Sequence, residues 1–423
     1  MHGKGAVAHD GRIRTIVRFP YEGSLERYDH HARRPFVLRY FVWYAKCCRL
    51  LGCLYISNLN DDTLKAAKAT WRSPYTIYSV ALLTTASVFE GSNFILKNAC
   101  KDDAKCKFTD TLGVVAYAVA LLRVFANVAC LVRGSAKILQ LLRDAVAFER
   151  SSAFRPVAKR SGIKDIPWVM VTLRLSVLVS VVATLCLAAA VHYRAFHTTR
   201  EHWHPVLKAS VVCTSVVVVF YGSTLYVPTI CFCEVLVQYV KAQVVAFGEC
   251  QATWATRSVL RDAASRIEAV RVNVCKIRAL KNAVNDVWGP AIVTSSACLV
   301  TTLCTTLYRS FYARVGHAEA WLRFTYTMYT ALCFVDMVLV SSDLGSEVEK
   351  LKDATKPMSL MDATDTYSLQ VGYLHDIIEP DSMCLSAGRF FRLDRTLLVT
   401  MAGSIITFTV ILVQTSDDII HGI

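Results

Sequence analysis

The sequence predicts an all-α polytopic membrane protein with seven transmembrane helices, and three observations predict it. Its 423 residues are 54% hydrophobic and 19% charged, whereas soluble domains carry about a quarter charged residues. Its apolar runs approach or exceed the roughly 20 residues that a helix needs to cross about 30 Å of hydrocarbon. Its basic residues are spread unevenly between successive loops, which gives the spans an orientation. The net charge of +14 would suggest nucleic acid in a soluble protein. Here no nucleic-acid partner is expected, because the excess follows the loops.

Residues 1–35 are polar and basic and read as a disordered N-terminus with no cleavable signal peptide. The stretch 36–57 is aromatic and apolar but carries Arg39, Lys46 and Arg49. As a span it would hold Lys46 near mid-bilayer at a cost of about 2.5–3.5 kcal/mol. Residues 36–73 therefore read as a cytoplasmic or interfacial amphipathic helix with a linker, a transmembrane helix being the alternative. The first four spans are 74–96, 111–132, 167–190 and 209–235, making the block 74–235. Cytoplasmic anchor helices follow over 236–288. Here Ile267, Val270, Val274, Ile277 and Leu280 recur at helical spacing, which suits either helices packed on one another or a helix on the membrane surface. Spans 289–309 and 318–341 form the block 289–341, and 342–395 is cytoplasmic. The last span, 396–415, has twenty residues without a charge and ends before Asp417 and Asp418. Residues 416–423 form an extracellular tail.

With the N-terminus cytoplasmic and the C-terminus extracellular, the inner segments hold 35 Lys and Arg against 9 in the outer loops. That asymmetry is the positive-inside signature of a multi-pass plasma-membrane protein, with the lipid bilayer as its solvent. Arg123, Arg174, Arg323, Glu90 and Asp336 fall inside spans, and Glu234 closes the fourth. Charges at such depth face a bundle interior or a wet cavity. Among spans two to six, Tyr117, Tyr326 and Tyr329 lie in the outer halves and are candidates for a ligand pocket, with Arg174 lower, at its floor or paired structurally.

Catalytic signatures are missing. There is no phosphate loop, no HExxH and no nucleophile elbow, so no enzyme activity and no cofactor is expected. No close cysteine pair is matched by a second pair at zinc spacing, and His192, His197, His202 and His204 lack regular spacing, so no metal is expected. Cys100 and Cys106 share an outer loop and are a disulfide candidate.

Ser404, Thr407, Ile411 and Gln414 share one face of the last helix. Two hydroxyls, a β-branched hydrocarbon and an amide suit a wet pore closed by an apolar ring. A helix interface is the equal alternative, since Gly403 and Ser404 permit close packing.

The end of the chain, IIEPDSMCLSAGRFFRLDRTLLVTMAGSIITFTVILVQT at 377–415, resembles the arthropod gustatory receptors of the insect chemoreceptor superfamily. Ala387, Gly388, Phe391, Leu393 and Asp394 match the family's lead into its last helix. Thr407, Phe408 and Gln414 match its closing motif, although Phe408 stands for a Tyr and Thr415 for a Phe. VNDVWGPAI at 284–292 is similar to the family's entry to the fifth span. The resemblance implies a receptor that is a ligand-gated, non-selective cation channel for a small-molecule tastant. It implies homotetramers, or heterotetramers with related receptors, whose last helices surround one pore passing Na⁺, K⁺ and Ca²⁺. Ile411 would then form the gate, with Gln414, Thr407 and Ser404 along the pore. Asp417 and Asp418 at its mouth are placed by charge and location alone. The alternatives are a seven-helix G-protein-coupled receptor, whose Asp-Arg-Tyr and Asn-Pro-x-x-Tyr motifs are missing, and a secondary transporter, for which no internal repeat is visible.

Overall fold

Long uninterrupted apolar periodicity gives long helices. A computed structural model describes residues 34–59, 64–98, 107–157, 168–199, 205–254, 260–312, 317–359, 366–388 and 390–421, and Pro35–Ile423 form one folded unit. The chain runs α1 (Phe36–Leu50), strands β1 (Ile56–Ser57) and β2 (Lys68–Ala69), α2 (Pro74–Asn98), α3 (Lys107–Ser151), α4 (Trp168–Thr199), α5 (Pro205–Ser223), α6 (Tyr226–Trp254), α7 (Leu260–Tyr312), α8 (His317–Ser359), α9 (Thr366–Ile377), α10 (Pro380–Met383), strands β3 (Ser386–Ala387) and β4 (Phe391–Arg392), and α11 (Arg395–His421). The strands make two antiparallel ribbons, β1–β2 and β3–β4. Among the described residues, six stretches are long and apolar enough to cross a membrane: Thr111–Ser151, Met170–Val191, Val216–Cys250, Ala263–Ser310, Ala320–Lys356 and Arg395–Thr415. The expected span 74–96 is helical as α2 but is not one of the six.

Two of these helices are far longer than a bilayer. With 45 residues in α3 and 53 in α7, a rise of 1.5 Å per residue gives about 68 and 80 Å. They pack on each other, and α7 also packs on α6, α8 and α9. Ile267, Val270, Val274, Ile277 and Leu280 are all buried there, beside Leu142 of α3, Phe247 of α6, Leu351 of α8 and Leu374 of α9. Of the two readings of this stripe, the packed one holds.

The expected helix at 36–57 stops at Leu50, and the chain turns through Gly52 at φ +72° into β1. α1 buries Val37, Leu38, Phe41, Ala45 and Cys48 and leaves Trp43 exposed, with the Lys46 ammonium 5.1 Å from its ring. Its first turn has orphan N–H groups. Glu149, near the end of α3, accepts from Phe36 N at 2.7 Å, Val37 N at 2.8 Å and the Tyr239 hydroxyl at 2.6 Å. One carboxylate thus fastens α1 to both α3 and α6.

Candidate functional site

The expected span 209–235 is broken. α5 ends at Ser223 and α6 begins at Tyr226. Pro228 explains the break: it has no N–H to give to the Thr224 carbonyl, and its ring crowds that position. Carbonyls freed inside a membrane need other donors. Here the Tyr44 hydroxyl donates to Thr224 O at 2.8 Å. Asn127 Nδ2 donates to Tyr221 O at 3.2 Å and to Gly222 O at 3.1 Å, and Arg123 Nη2 donates to Gly222 O at 3.0 Å. Arg123 and Asn127, four residues apart, lie on one face of α3 and are almost fully buried. The guanidinium also reaches Thr330 Oγ1 at 3.0 Å and stands 5.9 Å from the Tyr329 ring, whose hydroxyl donates to Ser223 Oγ at 2.6 Å. Side chains of α1, α3 and α8 therefore converge on the last turn of α5 and the break that follows it.

A second polar cluster ties α4, α6 and α8. Arg174 pairs with Glu234 at 2.5 Å and with Asp336 at 3.5 Å, and the Tyr226 hydroxyl donates to Asp336 Oδ2 at 2.5 Å. Asp336 is fully buried. Arg174 and Glu234 are half-buried, so it is the loss of Arg174 that would leave a buried charge, the Asp336 carboxylate, without its counter-charge.

Between α2, α3 and α5 lies a cavity of about 240 Å³. Leu83, Ala86, Val124 and Val128 line it, the half-exposed Phe125 also borders it, and Glu90 and Arg133 are its charged lining residues.

The chain enters α11 through a collar. Asn285 of α7 holds β3 twice, donating from Nδ2 to Ser386 Oγ at 3.0 Å and accepting from Ser386 N at 3.1 Å. Ser341 of α8 accepts from Leu385 N at 2.8 Å. Gly388 turns the hairpin at φ +55°, a conformation that favours glycine. A Cβ on Gly289 would stand 3.2 Å from Gly388 N, so a side chain there would require the hairpin to shift by a few tenths of an ångström. Asp394 then caps α11, accepting from Leu397 N at 2.9 Å. Burial raises the pKa of the Cys384 thiol beside this collar, with Asp394 and Asp381 adding to the effect.

The sequence-derived candidates now have places. Ile405 and Thr409 are the buried face of α11, with Ile405 O near the Cys304 thiol of α7 at 3.8 Å. Thr407, Ile411 and Gln414 are exposed on the opposite face, and Ser404 is half-buried beside them. Phe408, from the closing motif, is 54% exposed on its own chain. Helix α11 runs through Asp417 and Asp418, whose side chains lie outside the described residues, as do Cys100 and Cys106. Gly388, Phe391, Leu393 and Asp394 are the collar residues: Ala387 and Leu393 are fully buried and Phe391 pairs with Ala387 across the ribbon. Of the pocket candidates, Tyr326 and Tyr329 sit together with ring centroids 6.3 Å apart. Tyr117 instead donates to Glu90, and Arg174 is held in its ion pairs. None of the four lines the cavity. Asn127, Tyr44, Ser341 and Glu149 had not been singled out. The available signal was a proline in an apolar run opposite an Arg/Asn pair at helical spacing.

A family model described as 7tm Chemosensory receptor matches residues 38–419. No curated protein matches the chain. The chain is similar in structure to the insect olfactory receptor OR5 from Machilis hrabei in complex with eugenol, with a TM-score of 0.66 at 14% identity, over 90% of this chain and 99% of that one. A second structure of the insect olfactory receptor OR5 from Machilis hrabei gives 0.65 at 13% identity, over 89% of this chain and 98% of that one. At that identity the likeness is one of fold.

Proposed function

The chain belongs to the 7tm chemosensory receptor family, and from that premise we propose that it is a gustatory receptor of the plasma membrane, acting as a ligand-gated, non-selective cation channel for a small-molecule tastant. Four subunits, identical or with related receptors, surround one pore. Each has seven spans, with α2 as the first, a cytoplasmic N-terminus and an extracellular C-terminus. One observation carries the pore assignment. α11 is apolar enough to span a membrane, yet among the described residues its face with Thr407, Ile411 and Gln414 is exposed.

In the tetramer that face turns inward. Ile411 forms an apolar ring that strips water from passing ions, and Gln414 offers uncharged amide dipoles that discriminate weakly among Na⁺, K⁺ and Ca²⁺. Asp417 and Asp418 concentrate cations at the mouth. The collar joins α7 and α8 to the base of α11, so a displacement among the ligand-binding helices reaches the gate through hydrogen bonds rather than lipid. The eugenol held by the OR5 structure is a small organic molecule, which supports the ligand class.

The test is expression alone in a receptor-null cell, with a broad panel of tastants read as cation current, and with epitope tags at both ends. Ligand-evoked, weakly selective current with an N-terminal tag stained after permeabilisation is expected. Staining of that tag on intact cells would overturn both the topology and the channel.

A further inference from the structure

Helix α1 contains no Asp or Glu, and it packs one face on α3 and α6 while leaving the other exposed. Tyr40, Trp43, Cys47 and Leu50 recur at intervals of three, four and three residues, so they share the outer face. Trp43 is 73% exposed and Leu50 74%. Lys46 and Arg49 flank this stripe and are exposed as well. Adjoining apolar side chains rimmed by charge mark a contact surface rather than a solvated face.

The end of α1 is tied to the start of α2. The Tyr75 hydroxyl donates to Arg49 O at 2.6 Å, and the Tyr78 hydroxyl donates to Leu50 O. The Arg49 guanidinium stands 5.3 Å from the Tyr75 ring. Trp71, Arg72 and Tyr78 are exposed around this joint. With α2 as the first span, its first turns mark the cytoplasmic edge of the bilayer. Aromatic rings settle at that edge, where an apolar body and a polar tip are both satisfied. Lysine and arginine settle there too, with stems in hydrocarbon and charges among the headgroups.

Charge decides what covers the face. The cytoplasmic leaflet carries anionic lipids, which attract clustered basic side chains, each cation adding about fivefold to the attraction. A second copy of the same face would bring like charges together. The hydrocarbon core would leave Lys46, Arg49 and Arg72 without solvation.

We propose that the outer face of α1 binds anionic lipids of the cytoplasmic leaflet. Tyr40, Trp43 and Leu50 lie against the upper acyl chains, and Lys46, Arg49 and Arg72 hold the headgroup phosphates and carboxylates. The choice of leaflet rests on the topology proposed above; the preference for anionic lipid rests on these residues alone.

The test uses the full-length protein in phosphatidylcholine nanodiscs with a minor share of one acyl-brominated lipid, either phosphatidylserine or phosphatidylcholine. Bromine quenches tryptophan on contact, and subtracting the signal of a Trp43→Phe variant isolates Trp43. Brominated phosphatidylserine should quench Trp43 several-fold more than brominated phosphatidylcholine at equal share. That preference should vanish at about 1 M salt, where the screening length is about 3 Å. The triple variant Lys46→Gln, Arg49→Gln, Arg72→Gln should lose the preference and keep the weaker quenching by phosphatidylcholine. Should it fail to assemble, Lys46→Gln alone should still reduce the preference. Equal quenching by both lipids would make this ordinary lipid contact and overturn the proposal. Absence of quenching by either lipid would show the face covered by protein or water and overturn it too, as would a preference that survives the substitutions. Staining of the N-terminal tag on intact cells would overturn the leaflet named here together with the topology. Anionic preference without ligand-evoked current would leave this site standing and count against the channel. Evoked current with equal quenching would do the reverse.

Discussion

Helices α7 and α11 are both apolar enough to cross a membrane, and the fold uses them in opposite ways. Of the apolar stretch in α7, 61% is buried within the chain; of that in α11, 11% is. Trp288, Ala291, Ile292 and Cys298 of α7 are nearly inaccessible, whereas Val399, Ile406, Phe408 and Ile411 of α11 are exposed, by 49% to 75%. The first helix organises its own subunit. The second is tethered at its base by the collar and offers most of its circumference to lipid or to other subunits. Apolarity alone therefore does not say what a membrane helix packs against; the sequence around its ends does.

That contrast can be broken by substitution, and the largest effect belongs to α7. Trp288→Ala should cost about 3–5 kcal/mol, the range for a large aromatic lost from a packed core, and remove most surface receptor in a biotinylation assay. Val399→Ala, at 75% exposure, should leave surface level unchanged. Equal losses from both would mean that α11 is packed as tightly as α7.

Next in size is the gate. Ile411→Ser should raise ligand-independent current several-fold at equal surface expression, because a hydroxyl ring no longer dries the pore. A Gln414→Ala variant should alter relative permeability or blocker sensitivity, and Phe408→Ala should reduce assembly without changing selectivity. Normal resting current in Ile411→Ser, with unchanged permeability at Gln414, would place the pore on another helix.

The collar sharpens the comparison, since it is where the two helices meet. Asn285→Ala leaves both Ser386 groups without their partner at a cost of about 1–3 kcal/mol. The expected result is a shift in ligand EC50 larger than the fall in melting temperature would explain. A fall in stability with EC50 untouched would make Asn285 a structural brace only.

The smallest effect is the cap. Asp394→Ala removes the acceptor for Leu397 N and should cost about 1 kcal/mol. Faster amide exchange in the first turn of α11, with the rest of the helix protected, is the expected signature.

Much of this division was legible in the sequence. The stripe Ile267 to Leu280 marked an amphipathic stretch of α7, but it suited a packed helix and a membrane-surface helix equally, because periodicity shows an apolar face and not what covers it. The burial of all five residues decides between them. The motif from Ala387 to Asp394 was recognisable only through its resemblance to the gustatory receptors; the left-handed turn at Gly388 and the cap at Asp394 are its physical content. Deep charges were visible too, and Arg123 and Asp336 are indeed buried. Their partners were not. Arg174 has two carboxylates on two other helices, and Tyr117 and Tyr326 belong to different clusters, because inside a membrane every helix is apolar and sequence periodicity does not say which face meets which neighbour. The break in the fourth span was signalled by Pro228, yet its position depends on donors supplied by α1 and α3, more than ninety residues away in sequence.

That break has a mechanical consequence. α5 and α6 are two rods rather than one, meeting at Thr224 and Leu225, and no backbone ladder forces them to share an axis. α6 continues into the packed extension with α7 and α8 and must move with it; α5, beside α2 and α3, need not. The joint is pinned by three side chains, Tyr44, Arg123 and Asn127, which donate to the carbonyls of Thr224, Gly222 and Tyr221. Exchanging any one of them changes the stiffness of the joint without touching either rod, so the angle between the outer and inner parts of this subunit is a property that single substitutions can tune.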